Sequence, residues 1–126
     1  MSATQREKTI QWDLAQLRAD YLATLERLGA AAQAVRDALD AAAGALTVIR
    51  DQVRADARVS DLFAAMEPKP LRVALSDSLT ELERSRHHAQ KVLFRILFVE
   101  GTNMSDIARR WGISRQLVSR LINEPD

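Results

Sequence analysis

Cysteine is absent from the 126 residues, which excludes a disulfide framework and any thiolate metal site. That fits a reducing compartment, and a cytoplasmic location is expected. Glycine (4), proline (3) and aromatic residues (5%) are scarce, while Ala, Leu, Arg and Asp dominate. Such a composition favours helix and leaves little for strands, so the fold class expected is all-α, in one domain or a small domain with an extension. Long apolar runs are lacking too. The longest uncharged stretch near the middle, residues 41–49, is far short of a membrane span, and Arg6, Glu7 and Lys8 are followed by no apolar block. Neither a signal peptide nor a transmembrane helix is expected.

What the chain does have is a long helical stripe. Apolar residues run Ile10, Leu14, Leu17, Tyr21, Leu25, Leu28 and onward through Leu39, Leu46 and Ile49 to Val53, in steps of three and four. The spacing predicts one helix over residues 4–57, on the order of 80 Å long at ~1.5 Å per residue, too long for one small core to cover. Either two chains pair along the stripe as a coiled coil, or the helix folds back near Gly29 or Gly44. A glycine costs a helix only about 1 kcal/mol, so neither forces a turn and the single long helix is preferred. Leu14, Leu17, Tyr21, Leu25, Leu28, Leu39, Leu46 and Ile49 are then the candidate oligomerisation residues of a homodimer, parallel or antiparallel. Trp12 lies off the stripe and reads as helix-end packing.

The pattern loosens between residues 56 and 70. Ser60 is placed to cap a short helix over 61–67 with Leu62, Phe63 and Met66 on its apolar face. Pro68 and Pro70 then form the clearest boundary, and Pro70 is suited to open the next helix. Beyond it, Leu71, Leu75, Leu79 and Leu82 could return along the first helix. Residues 90–100 are apolar on several sides and read as a support helix ended by Gly101, with Asn103 capping the next helix. The organisation expected is a helical oligomerisation region over 1–67, a connector and helix over 68–88, and a three-helix unit over 89–126.

Residues 104–123 carry the most specific pattern. Two short amphipathic helices flank the joint Gly112-Ile113-Ser114, which is the shape of a helix-turn-helix. Ile107, Ala108, Trp111, Ile113, Val118 and Leu121 sit where crossing helices must meet, and Gly112 can take the left-handed conformation that ends the first. The string DIARRWGISRQLVSRLI, with its Ala108, Gly112, Val118 and Leu121 spacing, resembles the helix-turn-helix of bacterial repressors, of sigma factor region 4 and most closely of the C-terminal domain of serine resolvases and invertases. The resemblance covers about a fifth of the chain. No resolvase catalytic domain lies upstream and no sigma factor core is present. The resemblance therefore implies a DNA-binding module, with the second helix in the major groove and Arg115, Gln116, Ser119 and Arg120 as the base-reading positions.

Charge follows the motif. Residues 84–120 hold eight basic side chains against two acidic ones, whereas residues 1–66 hold eight against nine. A polyanion would be drawn to the basic end; the alternative is a solvated helix face. Arg suits guanine and Gln suits adenine, and Thr102, Ser105, Arg109, Arg110, Ser114 and Lys91 are candidates for phosphate contact. His87 and His88 point about 100° apart on a helix and have no further ligand nearby, so no metal site is expected. Paired carboxylates, a Gly-rich phosphate loop and a Ser-His arrangement are all missing, which argues against an enzyme; no cofactor or small-molecule ligand is evident. The function expected is a dimeric, sequence-reading, duplex-DNA-binding transcription regulator associated with the nucleoid. The alternatives are a coiled-coil interaction protein whose C-terminal unit docks a protein partner, and a non-specific nucleoid protein.

Overall fold

The computed structural model describes residues 12–126, and among them there are five helices and no strand. In chain order these are α1 (Leu14–Arg54), α2 (Val59–Ala65), α3 (Pro68–Val99), α4 (Met104–Trp111) and α5 (Arg115–Ile122). No described helix is long and apolar enough to cross a membrane. The all-α expectation therefore holds, as does a single uninterrupted first helix, which runs through both Gly29 and Gly44.

The start of that helix differs from the expected one. Trp12 and Asp13 are not helical; the Asp13 side chain accepts from the Ala15 amide at 3.1 Å, and its carbonyl accepts from Leu17 at 2.9 Å. Asp13 is thus the N-cap, taking up a donor the first turn leaves orphaned. Thr4 and Ile10 lie outside the described residues. At the other end, Ala57 N donates to Gln52 O and Asp56 N to Val53 O, both at 3.0 Å, with Asp56 at φ 66°. This is a Schellman closure carrying Asp where Gly is the unstrained choice. Asp56→Gly is expected to raise stability by about 0.5–1 kcal/mol, read as an upward shift of the urea midpoint at unchanged slope.

The buried side of α1 is not quite the stripe of large residues. Positions 14, 17, 21, 24, 28, 31, 35, 38, 42, 45 and 49 are covered in an alternation of three and four, with Asp20 and Ala32 half-covered beside them. Small residues Thr24, Ala31, Ala38 and Ala45 hold every second place, which permits close helix approach. Thr24 is 1% exposed and tolerates this because its hydroxyl donates to the Asp20 carbonyl at 2.7 Å. Leu25, Leu39 and Leu46 fall one residue to the side and stay exposed, at 40%, 51% and 65%. In α3 the covered positions 71, 75, 78, 82 and 85 keep the steps of three and four, whereas from 87 to 99 every position is at least half-covered.

Two compact units divide the described chain. One is built from α1 up to Leu28 together with Ser85–Asp126; the other is Gly29–Arg84. In the first, Leu17 of α1 packs with Val92 and Ile96 of α3, joined by Trp12, Leu14, Tyr21 and Val99. Three of the residues expected to face a second chain, Leu14, Leu17 and Tyr21, are therefore covered by the chain's own returning helix. The second unit holds buried Ala31 and Val35, the distal part of α1, α2 and the opening of α3.

Around α2 the local expectations shift. Ser60 lies inside the helix, and the N-cap is Arg58, whose carbonyl rather than its side chain receives Asp61 and Leu62. Leu62 and Met66 are half-covered, but Phe63 is 70% exposed, so the short apolar face is narrower than expected. The third helix opens at Pro68, not Pro70. Both prolines sit in its first turn, where amides have no intrahelical partner to lose. No break separates a connector helix from a support helix: residues 90–100 continue α3 to Val99.

Candidate nucleic-acid interface

The site rests on a small core in the first unit. Phe94, Ile107, Ala108, Val118, Leu121 and Ile122 form it, with Phe94 and Val118 fully covered, so the end of α3 supports both α4 and α5. Trp111 is 45% exposed, more than its expected place in the crossing implied. Its ring and that of Phe94 meet in a T-shaped contact, centroids 5.2 Å apart at 82°. Gly101 closes α3 at φ 104°, with Thr102 N bonded to Leu97 O at 2.8 Å. Asn103 then caps α4 by accepting from Asp106 N at 2.8 Å.

The joint between α4 and α5 is as tight as its three residues demand. Gly112 takes φ 68°, ψ 33°, the left-handed region that a Cβ disfavours, and Ile113 N reaches back to Ala108 O at 3.1 Å. Ser114 caps α5 through its hydroxyl, which accepts from Leu117 N at 3.1 Å. Arg115, Gln116 and Arg120 are exposed along α5, and Ser119 is half-covered. Positions i, i+1, i+4 and i+5 share one helix face, so the four side chains form a single strip beginning at the helix N-terminus.

The phosphate candidates separate into those that are free and those that are not. Arg110 is exposed and Ser105 is exposed, while Thr102 and Arg109 line a cleft of about 370 Å³ with Arg110 and Trp111. Arg109 is tied to Asp106 at 2.9 Å, and the Ser114 hydroxyl is engaged as a cap. Lys91 is not at the surface at all: it is 5% exposed and holds Asp126 at 3.1 Å. Among the described residues, Arg110, Arg115 and Arg120 have no acidic partner and no hydrogen bond. The available positive charge is therefore three guanidiniums close to the joint, fewer than the sequence total indicated.

Sequence reasoning missed the device that fixes α5. Arg95, 7% exposed, donates to Ile122 O at 2.9 Å and to Glu124 O at 2.6 Å, capping the carbonyl end of α5 from the side of α3. It also binds Asp126 at 2.9 Å and lies 4.9 Å over the Trp12 ring. His87 Nε2 stands 2.7 Å from Glu124 Oε2, and His88 Nε2 3.5 Å from Asp20 Oδ1, so each histidine has a carboxylate beside it. A string of polar residues after the last apolar position gives no sign of this fold-back. Among the described residues no group of three His, Cys, Asp or Glu side chains could hold a metal ion.

Hydrogen bonds from Lys91 and Arg95 hold the Asp126 carboxyl below its ordinary value near 3.8. A group whose folded pKa is depressed contributes stability above the unfolded pKa and loses it as pH falls through the folded one. Wild type and Asp126→Asn should therefore differ in melting temperature from neutral pH down to the usual carboxylate range and converge in stronger acid. A constant difference at every pH would mean the carboxylate charge is not what holds the tail.

Comparison of the chain with protein-family models, curated proteins and solved structures finds no match. Function must be read from the geometry.

Proposed function

We propose that the chain is a sequence-reading duplex-DNA-binding protein that places α5 in the major groove, in the manner of a transcription regulator. One observation carries the reading: Arg110, Arg115 and Arg120 stand exposed without acidic partners beside a tight helix-turn-helix joint. Free guanidiniums are what a phosphate backbone and a guanine edge require. Arg115 and Gln116 lie in the first turn of α5, the part of a recognition helix that enters the groove foremost. Ser119 and Arg120 follow one turn later. Arg110, with Ser105 and Thr102, is positioned to anchor the backbone.

The reading includes a homodimer, because one short recognition helix covers too few base pairs for strong selection and two cover a pair of half-sites. A cytoplasmic, nucleoid-associated location goes with it. Log K should fall against log salt, with a slope of about −0.9 for each phosphate that an arginine beside the joint neutralises. Arg115→Ala or Gln116→Ala should each cost about 1 to 3 kcal/mol and relax preference at one base position. Arg110→Ala should weaken all duplexes alike and reduce the slope by about one. Gel shift of each variant against selected and random duplexes at two salt concentrations reads all three. The competing reading, a C-terminal unit that docks protein, is favoured instead by loss of no DNA affinity in any variant.

A further inference from the structure

An apolar groove runs along the first unit on its α1–α3 side. Its cavity is about 270 Å³, walled on one side by Leu22 and Leu25 of α1 and on the other by Leu93 and Leu97 of α3, with Tyr21 and Ile96 also lining it. Leu22 is 65% exposed, one of the most exposed large apolar residues of the unit. Arg18 lines the groove from the α1 side and Glu100 from the α3 side. Neither meets a group of opposite charge among the described residues.

We infer that this groove is the interface with a second copy of the chain. It carries a cation on one wall and an anion on the other, flanking leucines on both. A two-fold axis along such a groove lays the α1 wall of one copy on the α3 wall of the other. Leu22 and Leu25 then meet the partner's Leu93 and the partner's Leu97, Arg18 faces the partner's Glu100, and the reverse contacts follow from symmetry. The patch is complementary to itself, as an isologous interface must be. An unrelated partner would have no reason to be matched by both walls at once. The arrangement gives a surface to the dimer of the preceding reading, yet differs from pairing along the whole of α1, since Leu14, Leu17 and Tyr21 are already packed against α3.

The test is the mass in solution of the full chain, without DNA, across a concentration series by sedimentation. The wild type is expected to dimerise. Arg18→Glu and Glu100→Arg each set like charges opposite one another and should raise the dimer dissociation constant at least about tenfold. The double variant, Arg18→Glu with Glu100→Arg, restores the match and should return it to within about threefold of wild type. Leu22→Asp should separate the copies while helicity by circular dichroism stays unchanged, because the side chain is exposed in one copy. A wild type that stays monomeric at about 100 μM overturns the inference, as does a dimer indifferent to the single reversals or one the double variant fails to restore. Because no DNA is present, a monomer removes the homodimer from the preceding reading but leaves the contact of α5 with DNA to be judged by its own binding data.

Discussion

Phe94→Ala is expected to lower the stability of the first unit by about 3 to 5 kcal/mol. Phe94 is fully covered and supplies the floor on which Ile107, Ala108, Val118 and Leu121 meet. Its removal forfeits the apolar area and leaves a cavity that α4 and α5 cannot close, because Gly112 and the Ser114 cap fix their crossing. The edge-on contact with Trp111 at 5.2 Å is lost as well. Thermal unfolding followed by tryptophan fluorescence, to which Trp12 and Trp111 both contribute, should show a midpoint lower by well over about 5 °C. A change within error of zero would mean the two short helices are not supported from α3.

Arg95→Met is expected to cost about 2 to 4 kcal/mol, although methionine keeps most of the packing over Trp12. The loss is of donors. Ile122 O and Glu124 O go without the guanidinium, and Asp126 retains only Lys91 as a cationic partner. The cost stays below that of a fully orphaned buried charge because the Lys91–Asp126 pair at 3.1 Å persists. Amide exchange should speed up most in the last turn of α5 and the residues after it, and little in the second unit. Uniform acceleration across the chain would place the effect elsewhere. If the recognition strip depends on a fixed α5, DNA affinity falls with Arg95→Met even though Arg95 is buried and touches no base.

Much of this architecture was legible in the sequence, and the reasons are local. Gly112, Gly101, Asn103 and the Ser114 joint each do what their backbone chemistry dictates, so the two short helices and the turn between them were legible to within about a residue. The long first helix was equally plain from its period. What covers it was not. Thr24, Ala31, Ala38 and Ala45 lie on the side covered within one copy, while the larger Leu25, Leu39 and Leu46 beside them stay exposed there. Hydrophobicity alone ranks Leu25 above Thr24; only the neighbour's approach and the Thr24 hydroxyl bond reverse that order. Lys91 illustrates a second limit. A lysine near a basic motif reads as a phosphate contact until an aspartate 35 positions later folds back onto it. Such pairing depends on where the tail goes, and no periodicity reports it.

The central claim is that α5 reads DNA through Arg115, Gln116, Ser119 and Arg120. The most direct measurement is selection from a pool of random duplexes by the purified full chain, repeated with Arg115→Ala/Gln116→Ala under the same salt. The account predicts an enriched motif for the wild type, bound with strong salt dependence, and loss of preference at the positions those two side chains contact while residual phosphate-driven binding remains. No enrichment by the wild type, or the same motif and affinity from the double variant, would contradict it.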